Sequence, residues 1–260
     1  MPQKVSEGII LKSVNWKENS RIVTFFLANC GRLSIVDRGG RSIKSKKGRL
    51  QTFCRMEVSY FKSDKSGTGY LTEVDPIESF LFERDGSLGR LVFGSAALEI
   101  LYDLLPEDEP QKSLYHLTMQ FLKLTDLVHK LSLYPLFLAY LMKLLSHLGY
   151  RPNFSGCVGC GKDMQTNGDN KILAFSPERG GLVCSTCQIA GEYYIRLQSE
   201  RQQIVYALQT ASLAEAASFN IRYKEAEDIL ELLTHFLRYQ TGTKKLKSLT
   251  FLEKLKKTKF

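Results

Sequence analysis

The segment Cys54-Arg-Met-Glu-Val-Ser-Tyr60 alternates apolar and polar residues without a break. That period of two is the pattern of a strand with one buried face. Other β-rich runs surround it. Val5 to Val14 is β-rich, and Ile22 to Leu27 is apolar on both faces, as in a core strand. Leu33 to Val36 follows the turn Asn29-Cys30-Gly31, and Tyr70 to Val74 follows Ser-Asp-Lys-Ser-Gly-Thr-Gly. Five short strands within the first 80 residues suit a small closed barrel. The five-stranded OB-fold is one such barrel and commonly binds oligonucleotides; an SH3-like barrel fits the strand count nearly as well.

From residue 81 the period becomes helical. Leu88 to Leu105, Leu114 to Leu131 and Leu136 to Leu148 carry apolar residues at three- and four-residue spacing, as do Gln198 to Phe219 and Glu225 to Tyr239. Pro106 and Pro110 separate the first two, and Gly149 with Pro152 stops the third. The expected chain is α+β and multidomain. A five-stranded OB-fold β-barrel spans 1–80. An α-helical domain spans 81–150 and 193–242. A four-cysteine zinc module is inserted at 151–192, and a Lys-rich tail spans 243–260. The tail reads as frayed.

The 260 residues carry 36 Lys and Arg against 27 Asp and Glu, a net charge of +9. Residues 1–80 hold 14 basic and 8 acidic side chains, whereas 81–150 hold 6 and 8. A focused positive field favours a polyanion such as nucleic acid. The densest run is Arg38, Arg41, Lys44, Lys46, Lys47 and Arg49, with glycines and serines between, and no acidic residue lies between Asp37 and Glu57. It reads as a loop, either solvated or following a phosphate backbone, and its place beside a β pattern favours the second. Arg21 and Lys17 extend the expected groove, and Trp16 is either a ring that stacks on a base or an aromatic that packs on the barrel. The longest uncharged apolar stretch in the helical part, Leu131 to Met142, is 12 residues, bounded by Lys130 and Lys143. A bilayer needs roughly 20 such residues, so no membrane role is expected. The amino terminus lacks the apolar core of a secretory signal, so the expected location is the cytoplasm.

Cys157-x-x-Cys160 and Cys184-x-x-Cys187 are separated by 23 residues. Each pair lets two thiolates reach one ion in a tight knuckle, and two knuckles complete a tetrahedral Zn–S site. Ile172 to Phe175 and Gly181 to Val183 flank a Ser-Pro-Glu-Arg-Gly turn and form the expected hairpin between them. A structural zinc is favoured over disulfides, which a reducing cytosol disfavours, and over a redox pair, which lacks its βαβ setting. Four thiolates leave zinc no open position, so no catalysis is expected there. Cys30 and Cys54 read as plain buried thiols, and His116, His129, His147 and His235 as helix-face residues. Asp103, Glu107, Asp108 and Glu109 read as a solvated interhelical loop. No phosphate-binding P-loop and no G-x-S-x-G elbow occurs, and the chain is not expected to be an enzyme.

The runs Glu7-Gly-Ile-Ile-Leu-Lys-Ser13, Glu18-Asn-Ser-Arg-Ile-Val-Thr24, Gly31-Arg-Leu-Ser34, Arg38-Gly-Gly-Arg41 and Leu50-Gln-Thr-Phe53 resemble the amino-terminal signature of the RecO family of bacterial recombination mediators. The two Cys-x-x-Cys pairs and Phe175-Ser-Pro-x-x-Gly-Gly181 resemble the same family. The resemblance implies binding of single- and double-stranded DNA and strand annealing. It also implies partnership with RecR and single-stranded-DNA-binding protein, and loading of RecA onto coated strands at the nucleoid. Asp37 departs from the family pattern, where a small residue precedes Arg-Gly; it sets a negative charge beside the expected DNA loop. Trp16 stands where Tyr is common. Outside the resemblance, an RNA-binding, translation-associated barrel protein with structural zinc is the alternative.

Overall fold

The computed structural model describes residues 2–40, 50–62, 67–85, 87–164 and 172–251. The chain forms two compact units: Met1–Leu127 with Leu246–Phe260, and Val128–Lys245.

In the first unit, β1 (Gln3–Trp16), β2 (Ser20–Leu27), β3 (Gly31–Asp37), β4 (Cys54–Lys62) and β5 (Thr68–Ser79) close a barrel in the order β1-β2-β3-β5-β4. The ring shuts because β1 is long enough to serve two partners. Its first half pairs with β4 and its second with β2, Gly8 meeting both Met56 and Leu27. A register shift between Ile10 and Lys12 accompanies this bend, as strand irregularities do at barrel corners. All pairings are antiparallel except β3 with β5. Ile10, Val23, Phe25, Leu27, Leu33, Ile35, Cys54, Met56, Val58, Tyr60, Leu71 and Val74 fill the interior, so the alternation of β4 faces the core as expected.

β2 is buried on both faces because its outer residue Phe26 packs edge-on against Tyr115. Tyr115 belongs to α2 (Lys112–Leu127), which follows α1 (Ser87–Leu104). Arg90 of α1 is fully buried, and its guanidinium donates to the carbonyls of Asp85 and Thr125. These two helices group with the barrel; the expected 81–150 segment is thus divided at residue 127 between the units.

Two expectations change here. The acidic loop after α1 is not merely solvated. Arg32 pairs with Glu107 at 3.4 Å and Lys62 pairs with Asp108, so cations of β3 and β4 hold the loop. The tail is not frayed over residues 246–251, and residues 252–260 lie outside the described residues. Leu246 and Leu249 are buried, and the Glu99 carboxylate accepts from the Lys247 and Ser248 amides at 2.9 and 3.2 Å. Apolar burial and this carboxylate cap dock the start of the tail on α1, despite its lysines.

In the second unit, α3 (Leu133–His147) has Leu136 to Met142 wholly buried. Pro135 lies in its first turn, where a missing N–H costs nothing. The strands β6 (Asn153–Cys157), β7 (Ile172–Ser176), β8 (Gly181–Val183) and β9 (Ile195–Gln198) form a sheet of order β6-β8-β7-β9. The expected hairpin is the antiparallel pair β7–β8. Then follow α4 (Ser199–Thr210), α5 (Leu213–Ala217) and α6 (Tyr223–Thr241). The expected helix from Gln198 to Phe219 is broken. The Ser212 hydroxyl accepts from the Glu215 amide while Glu215 accepts from the Ser212 amide, a capping box that starts a new helix. Phe175 stacks on Phe154 and meets Phe236 of α6 edge-on, which fastens the sheet to the helices. Among the described residues no helix is long and apolar enough to cross a membrane.

Candidate nucleic-acid interface and metal centre

One end of the barrel gathers the described cationic candidates. Trp16 ends β1 and pairs with Ser20; Arg21 pairs in register with Asp37; Val36 pairs with Tyr70. The β1–β2 turn, the start of β2 and the end of β3 therefore share one rim, and Tyr70 of β5 lies alongside the end of β3 through the parallel pairing.

Asp37 does not act as an exposed charge on this rim. Its residue is 1% exposed, and Arg21 Nε donates to its Oδ2 at 2.9 Å. The pair is neutral in sum, so the expected repulsion of DNA by Asp37 is largely cancelled. Arg21 is correspondingly committed to Asp37. Gly40 is required beside them: a Cβ there would lie 1.7 Å from Asp37 Oδ2.

The residue after Asp37, Arg38, is exposed in the turn that follows β3. The Arg38 guanidinium lies over the Tyr70 ring, 4.2 Å from its centroid. Lys17 Nζ lies 4.4 Å from the centre of the Trp16 ring. Trp16 is 36% and Tyr70 42% exposed. Each aromatic side chain thus carries a cation on its face, an attraction worth about 0.5–1 kcal/mol at exposed sites. Tyr70 is absent from the sequence-based set. Only the β3–β5 pairing brings it under Arg38, and nothing in the local sequence announces that pairing. Arg41, Lys44, Lys46, Lys47 and Arg49 lie outside the described residues.

The four cysteines meet in the second unit. The sulfurs of Cys157, Cys160, Cys184 and Cys187 all lie within 4.8 Å of one another, and Cys160 and Cys184 are 3.7 Å apart. A tetrahedron with Zn–S bonds of about 2.3 Å has edges of about 3.8 Å, so the cluster fits one ion. The first knuckle is shaped by hydrogen bonds from the Cys157 amide to the Lys162 carbonyl and from the Gly161 amide to the Cys157 carbonyl, both 2.8 Å. The second is closed by the Cys187 amide on the Cys184 carbonyl at 3.0 Å. Burial opposes ionisation of Cys157, but donation from nearby backbone amides pulls its thiol down to about 6. Donors that already favour a thiolate favour a metal ligand.

Arg179, unassigned by the sequence reading, joins the knuckles. Its Nη1 donates to the Cys187 carbonyl at 3.0 Å. A Cβ on Gly159 would lie 2.7 Å from Arg179 Nη2 and 3.0 Å from Cys187 Sγ; glycine leaves the guanidinium its path. Behind it, the Ser176 hydroxyl accepts from the Arg179 amide and donates to Glu192, which also accepts from Tyr194. Of the remaining thiols, Cys54 is buried as expected, whereas Cys30 is half-buried, with the Tyr60 hydroxyl 3.6 Å away. His129 departs from the helix-face reading by capping a short 3-10 turn, Lys130–Ser132.

Comparison with known families gives two matches. The profile described as Recombination protein O N terminal matches residues 1–80, and that described as Recombination protein O C terminal matches residues 86–250. DNA repair protein RecO of Symbiobacterium thermophilum is 29% identical over 252 residues, covering 96% of each chain. That of Desulfatibacillum aliphaticivorans is 25% identical over 261 residues and covers both chains in full. The Desulfitobacterium hafniense protein of the same name is 31% identical over 194 residues, 72% of this chain and 65% of its own.

Proposed function

Since this chain belongs to the RecO family of DNA repair proteins, we propose that it is a recombination mediator that binds single- and double-stranded DNA through its barrel and performs no covalent chemistry. The observation that carries this reading is the rim. Trp16, Lys17, Arg21 and Arg38 lie at one end of the barrel, where the basic 38–49 segment begins, and Tyr70 lies alongside Arg38. The strand order and the single parallel pair β3–β5 support an OB-fold, whose β2–β3 face and β1–β2 and β4–β5 loops serve oligonucleotides.

Annealing follows from electrostatics. Two strands on one cationic surface repel each other less, and base pairing supplies the driving force. Lys17, Arg38 and the cations that follow in the sequence, Arg41 to Arg49, neutralise phosphates. Arg21 acts chiefly by holding Asp37. Cys157, Cys160, Cys184 and Cys187 hold one Zn2+, which when bound cross-links the two knuckles. With four protein ligands it offers no position to a substrate. The Phe154–Phe175–Phe236 contacts support a bracing role for this module. Family membership supports RecR, single-stranded-DNA-binding protein and RecA as partners in the cytoplasm at the nucleoid.

The test is annealing of complementary DNA strands coated with single-stranded-DNA-binding protein, with and without the chain, followed by RecA assembly in the presence of RecR. Acceleration of both is expected. Failure to anneal coated DNA, with annealing of equal-length RNA instead, would favour the RNA alternative.

A further inference from the structure

We propose that Tyr70, held beneath the Arg38 guanidinium, is a stacking platform for an unpaired nucleobase and makes the barrel rim prefer single strands to duplex. This deepens the DNA-binding reading and rests on it.

Tyr70 lies in β5, yet it is exposed while its neighbours Gly69 and Leu71 are buried. The pleat therefore sends its ring away from the barrel core. In the parallel register Val36 stands opposite Tyr70, so the chain two residues on, at Arg38, is within reach of the ring. Arg38 is not placed by chance. The residue before it, Asp37, ends β3 and is anchored inward by Arg21, and Arg38 follows it exposed in the turn. The ion pair thus positions the cation, and the cation steadies the ring.

The chemistry of such a pair is specific. Any base offers a π-face to a ring or to the planar guanidinium that lies over it, so stacking tolerates sequence, and the guanidinium also supplies the charge that a phosphate needs. In a duplex the base faces are already stacked on one another, and exposing one has an unstacking cost. The charge of Arg38 serves both forms of DNA, whereas the Tyr70 ring serves only the single strand. Trp16 with Lys17 repeats the arrangement at the far side of β2 and β3. From β1 to β5 lie three strand spacings, about 14 Å in all, and a strand crossing the β2–β3 face meets a cation-backed ring at each side.

The experiment uses the full chain with two labelled probes, a single-stranded oligothymidine and a duplex of equal phosphate number, followed by fluorescence anisotropy at several salt concentrations. Replacing Tyr70→Ala is expected to weaken oligothymidine binding roughly 5- to 100-fold while duplex affinity and the salt slope stay nearly unchanged. Tyr70→Phe keeps the ring and is expected to bind like the unaltered chain. Thermal melting of both variants verifies folding, which an exposed position tolerates. Trp16 is the only tryptophan, so its quenching by oligothymidine in Tyr70→Ala reports that the strand still reaches the rim. Equal weakening on both probes, no weakening on either, or loss in Tyr70→Phe matching that in Tyr70→Ala overturns the platform. An unaltered chain that binds neither probe overturns the DNA-binding reading itself, and the two failures are thereby distinguished.

Discussion

Arg21 and Asp37 stand opposite each other on β2 and β3, and Arg21 Nε donates to the buried Oδ2 at 2.9 Å. Removing only the cation takes this donor from a carboxylate that is 2% exposed. Taking one partner from a buried ion pair typically costs about 3–5 kcal/mol. The Arg21 side chain is itself 22% exposed, so about 3 kcal/mol is expected for Arg21→Met. The double substitution Arg21→Met, Asp37→Asn removes the buried negative charge as well and recovers part of the loss. Urea unfolding of the three proteins checks this; an unchanged midpoint in Arg21→Met contradicts it.

Gly159 leaves room for Arg179 to reach the Cys187 carbonyl. A methyl group in Gly159→Ala must displace the guanidinium or the Cys187 side chain. Groups that orient metal ligands typically govern affinity by about 10- to 100-fold. We expect zinc to leave Gly159→Ala about tenfold faster than the unaltered chain when a colorimetric chelator is added. Because thiolates bind the ion and protons compete for them, release should also quicken as pH falls. Equal release rates from the two proteins would leave Gly159 and Arg179 without a role in metal retention.

The Glu99 carboxylate caps the amides of Lys247 and Ser248 and accepts from the Ser248 hydroxyl at 2.8 Å. Loss of a helix cap costs about 0.5–2 kcal/mol. In Glu99→Ala, backbone hydrogen exchange over residues 246–251 is expected to rise roughly tenfold or more, while β1 to β5 stay protected. Uniform exchange in both proteins would mean that Leu246 and Leu249 alone dock the segment.

What the sequence discloses follows from the range of each interaction. The alternation of β4 and the apolar run of β2 report burial directly, since a strand shows its faces residue by residue. The cysteine spacing likewise states its chemistry locally. The break between α4 and α5 has a visible signal, Ser212-Leu-Ala-Glu215, which the longer apolar period of the segment masks. The docking of Leu246 and Leu249 is hidden by the surrounding lysines, because charge density says nothing of what two leucines meet. Tyr70 beneath Arg38, Asp37 against Arg21, and Arg179 between the knuckles depend on cross-strand register or loop closure. Such partners are far apart along the chain or turned together only by the fold.

The most direct test of the barrel as a cationic DNA-binding surface is the affinity for single-stranded DNA measured against salt. Affinity should fall as salt rises, with a log–log slope of about −0.7 for each phosphate contacted. Neutralising Arg38, Arg41, Lys44, Lys46, Lys47 and Arg49 together should flatten that slope by several contacts. An affinity indifferent to salt, or a full slope retained by the neutralised chain, would contradict the account.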